Sequence, residues 1–241
     1  MADTEPWTDR SRLFWILAGA RGVTGLPALV LMSAMIGFGS LARDAGFTLG
    51  QALFSAFGIW ALPSMIVMVG SIMSGLGVLP TAVAVAFASM RFTPMVMAIV
   101  PEMRGKRTTL PTLLFLSHFV AITAWVHGFS NFARVPRDYR AAFFGGFAVT
   151  LTCLSTVIVG VSHQVSTTLP PVAAAALVFL TPIYFLTSLW SNARYRYDRT
   201  ALALGLVIGP AAQAVLPSGG LIVGGIAAGS LAYVISARDR G

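Results

Sequence analysis

Long uncharged stretches alternate with short polar connections along most of this chain. The pattern predicts membrane elements at residues 22–42, 51–70, 78–100, 110–129, 141–161, 172–190, 201–216 and 220–236. About 20 apolar residues rising 1.5 Å each cross a ~30 Å hydrocarbon core, which is the basis of that reading. Residues 1–12 are polar and predict a cytoplasmic tail, because no basic region precedes a short apolar core as in a signal peptide. Leu13–Ala20 is an octet closed by Arg21, too short to span, and predicts an interfacial lead-in. The expected fold is therefore all-α: a polytopic helical permease domain over residues 13–241 with about seven or eight membrane elements. Glycine and proline inside the spans predict interrupted helices and leave room for an inverted repeat.

The third element departs most from a plain span. Arg91 lies in its interior and Pro94 follows three residues later. An arginine at membrane depth costs at least ~2.5–3.5 kcal/mol on insertion scales and so usually faces a bundle interior or water. Two readings fit. In one, Val78–Met90 is a short span, Arg91 snorkels at its end, and Phe92–Pro101 lies in the interface. In the other, a broken helix presents the guanidinium to an anionic group, as discontinuous helices do in secondary transporters. A second interruption is expected at Gly209-Pro210 in the short element 201–216.

Composition narrows the class. Hydrophobic residues make up 56% and charged residues 10% of the 241 positions, where soluble domains carry about 25% charged residues. With a mean hydropathy of +0.81, this is an integral membrane protein in contact with the lipid bilayer. The net charge of +8 comes from short loops, where it sets orientation rather than binding nucleic acid. Eight crossings with the N-terminus in the cytoplasm place ten lysines and arginines of the loops inside and four outside. The basic loop Glu102–Arg107 then falls on the wrong face.

All eight acidic residues lie in tails or loops, which leaves His118 and His127 as the titrating groups within the spans. No phosphate-binding Gly-x-x-x-x-Gly-Lys-Ser/Thr loop occurs, and the single Cys153 permits neither an internal disulfide nor a metal cluster. The expectation is a transporter without cofactors or metal, and not an enzyme. Its substrate site is expected at Arg91 and Pro94, faced by Trp60, His118, Gly209, Pro210 and Gln213. A zwitterionic amino acid suits such a place. Its carboxylate could meet Arg91 and free N–H groups, and its ammonium could meet the carbonyl ends of a broken helix.

Several stretches then gain meaning by their order: Gly19-Ala20-Arg21-Gly22, Leu26-Pro27, Gly37–Thr48, Gln51-Ala52-Leu53-Phe54-Ser55, Ala88–Phe92 and Leu216–Ile222. Together they resemble the AzlC-type branched-chain amino acid exporters, large subunits of two-component permeases. The resemblance implies outward movement of branched-chain or similar small apolar amino acids across the bacterial cytoplasmic membrane. It also implies a small AzlD-like membrane partner. The chain departs from the family pattern where Ser89-Met90-Arg91-Phe92 keeps only the arginine of a usual Asn-x-Arg. The acidic pair expected near His118–Thr123 is also absent. These departures keep two rivals open: a transporter of another small solute, and a non-transporting scaffold or regulatory subunit.

Overall fold

The computed structural model describes residues 11–106, 108–165, 196–216 and 220–238, with scattered positions between 170 and 190. Residues 1–10 of the predicted tail and most of the predicted element at 172–190 lie outside the described residues. The described secondary structure is helical, and the chain divides into two compact units, Met1–Phe179 and Leu180–Gly241.

In the first unit, α1 is Arg12–Arg21, α2 Leu26–Asp44, α3 Leu49–Phe54, α4 Leu62–Met73, α5 Val78–Ser89, α6 Phe92–Met103, α7 Leu110–His118, α8 Ile122–Asn131 and α9 Arg140–Val165. A π turn, Ser55–Ile59, prolongs α3. The second unit contains α10, Arg196–Val215, and α11, Gly220–Arg238. Among the described residues, two segments are long and apolar enough to cross a membrane, Leu26–Asp44 and Arg137–Val165. A third crossing follows if α5 and α6, which meet at a 50° bend, are one broken span.

α9 is the post around which the first unit is built. Its inner face buries Phe144, Phe147, Leu151 and Val159. α1 packs across its first turns so closely that backbone meets backbone. A Cβ on Gly19 would lie 2.0 Å from the Phe143 carbonyl oxygen, and one on Gly146 2.1 Å from that of Ile16. Trp15 is buried there and stacks on Tyr139 with ring centroids 6.2 Å apart. Leu13–Ala20 is a helix packed on α9, and it leads through Gly22–Thr24 into α2.

The far end of α9 is fastened to the turn after α2. Arg43 donates to the His163 carbonyl at 3.0 Å, and the His163 ring, through Nε2, bonds the Phe47 carbonyl at 2.8 Å. At the near end, Arg140 pairs with Glu102 at the close of α6. The Lys106 N–H also donates to Asp138 Oδ1 at 2.8 Å. The loops 104–106 and 131–140 thus lie together at one end of α9. The turn 43–48 lies at the other, about 39 Å away for 26 residues.

Those ties correct two predicted spans. The segment 49–73 is not one rod: α3 leaves the turn at Thr48, the helix breaks at Trp60-Ala61, and α4 returns. Ile72 in the last turn of α4 lines the same 260 Å³ cavity as Gly46, Phe47 and Gln51 at the start of α3. Likewise, α7 leaves loop 104–109, the helix breaks at Phe119-Val120-Ala121, and α8 returns to Phe132–Arg140 beside it. Each is a helix–break–helix hairpin, and the two are rooted at opposite ends of α9. The basic stretch 102–106 sits beside the other basic loop rather than across from it, which removes the conflict the eight-crossing count created.

The first hairpin starts from a local signal. Thr48 Oγ1 accepts the Gln51 N–H at 3.3 Å, and Gln51 Oε1 accepts the Thr48 N–H at 2.8 Å. This reciprocal capping satisfies two otherwise orphaned donors. Thr48→Ala is expected to cost about 1 kcal/mol. In a protein of this size that lowers the thermal midpoint by about 2–4 °C, read in detergent by circular dichroism.

Candidate functional site

Among the described residues of the first unit, three apolar helix pairs are broken, at Trp60-Ala61, Met90-Arg91 and Phe119–Ala121. Each has 9 to 12 helical residues on either side. Each therefore sits about 14–18 Å of helix in from the helix ends.

The break at Trp60 has the most unusual backbone. Trp60 adopts φ 49° and ψ 35°, the left-handed region, and is the one described residue other than glycine with positive φ. A bulky side chain there is strained by about 1–3 kcal/mol and persists only where surrounding packing holds it. The packing is present, since Trp60 is 3% exposed. Its indole N–H is nonetheless buried without a hydrogen-bond partner. The preceding π turn leaves carbonyls unpaired, as at any helix end.

One of those carbonyls is taken by the second hairpin. His118 Nε2 lies 3.0 Å from the Phe57 carbonyl oxygen, so the ring donates through Nε2–H. The rings of Phe57 and Phe119 meet edge to face at 6.1 Å, and His118 lies 6.0 Å from Phe57. The hairpin tips therefore touch. On the other side of the first tip, Ser89 at the end of α5 donates to Ser64 Oγ in the first turn of α4, at 2.9 Å. A run of contacts thus links all three breaks: Arg91 follows Ser89, Ser64 follows Trp60, and Phe57 precedes it.

Arg91 is exposed at the bend, its guanidinium 5.0 Å from the centre of its neighbour Phe92's ring. No described residue offers it a hydrogen bond or an ion pair. The interruption is at Met90-Arg91 and not at Pro94, because α6 resumes at Phe92. Pro94 stands in its first turn, where an N–H has no intrahelical partner to lose.

Three of the expected site residues, Arg91, Trp60 and His118, therefore belong to linked breaks. Gly209, Pro210 and Gln213 lie in the second unit, and the interruption expected there is absent. α10 runs unbroken from Arg196 to Val215 with Pro210 inside it. Gly209 serves packing: α11 folds back on α10, and a Cβ on Gly224 would lie 3.1 Å from the Gly209 Cα. His127 also has a packing role, lying flat on Phe147 at 3.9 Å with Gly22 against its edge.

Sequence reasoning missed Ser64, Ser89 and the Phe57 carbonyl, which matter only once the hairpins fold back. The break at Phe119–Ala121 carries no glycine or proline, so no local signal marked it.

Two broken apolar hairpins rooted at opposite ends of α9, with an exposed arginine at a third break, belong to an all-helical unit with two or three candidate membrane crossings among the described residues. A family model described as AzlC protein matches residues 27–165, more than half of the chain. The chain belongs to the AzlC family. The matched range runs from the start of α2 to the end of α9 and so contains both hairpins and all three breaks. No curated protein and no solved structure matches the chain.

Proposed function

We propose that this chain is the permease subunit of an exporter that moves branched-chain or similar small apolar amino acids outward across the bacterial cytoplasmic membrane. The observation that carries this reading is the linkage of the three breaks, with Arg91 exposed among them. A guanidinium facing hydrocarbon is unfavourable by several kcal/mol, so it needs a polar occupant. An amino acid carboxylate is such a group, and the unpartnered N–H of Trp60 is a further donor close to one of the breaks. The unpaired carbonyls at the ends of α3 and α7 suit the ammonium. Exposed Phe57, Phe115 and Met90 offer apolar contact for a branched side chain.

Orientation follows from the ends of α9. Arg104, Lys106, Arg134, Arg137 and Arg140 lie at its near end, and Arg43 at its far end. The excess of basic residues supports a cytoplasmic near end, and we propose a cytoplasmic N-terminus as well. The protein is multi-pass and works with a small AzlD-like membrane subunit. The two hairpins, rooted at opposite faces, are the elements an inverted repeat would relate.

The test is efflux of radiolabelled leucine from proteoliposomes holding this chain and its partner. Arg91→Ala is expected to fold normally and lose at least tenfold in rate, while Arg91→Lys, a point charge without the planar fork, loses less. A normal rate in Arg91→Ala would remove the guanidinium from the site. A substrate panel in the same vesicles separates branched-chain amino acids from other solutes, and a scaffold would give no flux at all. Trp60→Phe is expected to lower the thermal midpoint by several degrees, because the smaller ring leaves a void in the packing that holds the left-handed backbone at 60. The same change should raise KM severalfold if that N–H binds substrate.

A further inference from the structure

A second polar site lies away from the helix breaks. Residues 104–106 and 136–139 enclose a cleft of about 640 Å³ where α6 ends and α9 begins. Among its described lining residues three are cationic, Arg104, Lys106 and Arg137, and Asp138 is the one acid. That acid is already engaged, since Asp138 Oδ1 accepts the Lys106 backbone N–H. The nearby carboxylate of Glu102 is paired with Arg140. Arg137 is fixed as part of the wall, donating through Nε to the Arg104 carbonyl at 3.2 Å and through Nη2 to that of Pro101 at 3.4 Å.

The Arg104 guanidinium and the Lys106 ammonium are different. Both side chains are exposed, and neither has a hydrogen bond or ion pair to any described residue. Three positive charges therefore converge on one concave surface with a single, committed carboxylate. The backbone between them is held against the turn, because Gly105 sits so close to Asp138 that a Cβ would lie 2.7 Å from the Asp138 Cα.

We propose that this cleft binds a phosphate group, presented by the headgroup of an acidic phospholipid. Its place at the polar end of two membrane segments favours the lipid over inorganic phosphate, which shares the chemistry. Basic pockets between membrane helices take headgroups in this way, at about 1 kcal/mol for each lysine or arginine. The bound headgroup would clamp loop 104–106 against the turn at 136–139 and so brace the root of the second hairpin.

The experiment uses the full chain in an uncharged detergent. Its thermal midpoint is followed while phosphatidylglycerol, phosphatidylcholine or inorganic phosphate is added at constant ionic strength. Phosphatidylglycerol is expected to raise the midpoint and phosphatidylcholine to leave it unchanged. The double variant Arg104→Gln, Lys106→Gln is expected to need roughly thirtyfold more phosphatidylglycerol for the same rise. Arg134→Gln, an exposed arginine outside the cleft, should titrate like the parent. If the double variant fails to fold, Lys106→Gln alone carries the test, with roughly a fivefold shift. Stabilisation by inorganic phosphate alone, lost in the same variants, would keep the phosphate site and overturn the lipid as its source. Equal stabilisation by both lipids, or an unchanged titration in the variants, would overturn the proposal.

Discussion

Gly146→Leu is expected to abolish the folded protein. A Cβ at 146 would meet the Ile16 carbonyl oxygen at 2.1 Å, and the reciprocal contact at Gly19 is as close. The obstructing atoms are backbone in a packed helix, so no rotamer change relieves them. Overpacking a core typically costs about 1–3 kcal/mol when side chains can shift. Here α1 must leave α9 and expose Trp15, a loss comparable to the roughly 5–15 kcal/mol that holds a domain folded. Size-exclusion chromatography in detergent should give aggregate in place of the parent peak. Gly50→Ala is the contrast. It lies in α3, where an added methyl would have no neighbouring atom within 4 Å, and should stabilise by about 0.5–1 kcal/mol.

His118→Ala is expected to have the largest effect among changes that leave the fold standing. The ring N–H satisfies a carbonyl that the π turn before Trp60 leaves without a helical partner. Losing it strands that carbonyl, at about 1–3 kcal/mol. The thermal midpoint should fall by several degrees, and efflux at least tenfold, because the two tips lose their one described hydrogen bond. His118→Gln, which keeps an N–H donor of similar reach, should recover much of both. If His118→Ala matched the parent in rate and midpoint, the tips would not work as a unit.

Much of this was readable from residue order. The long span of α9 and that of α2 follow from uninterrupted apolar runs. Arg91 declared itself as a charge in an apolar stretch. The hairpins did not, because a run of 20 apolar residues looks the same whether it crosses or turns back. Trp60 breaks its helix through a left-handed backbone that nothing in Ile59-Trp60-Ala61 requires locally. Phe119–Ala121 breaks without any glycine or proline. The two breaks are joined by one bond distant in sequence, the His118 ring on the Phe57 carbonyl, and the root of the second hairpin is held by the Lys106 N–H on Asp138. Pro210 misled in the opposite sense, because a proline in a membrane helix can be carried without a break.

The architecture rests on two hairpins entering from opposite faces, and labelling decides it. In a Cys153→Ala background, single cysteines replace Leu76, Lys106 and Arg134, all of them exposed. A membrane-impermeant maleimide is applied to right-side-out and inside-out vesicles. Cysteines at 106 and 134 should react from one face and the cysteine at 76 from the other. Reaction of 106 and 134 from opposite faces would make Leu110–Asn131 a simple crossing and contradict the account.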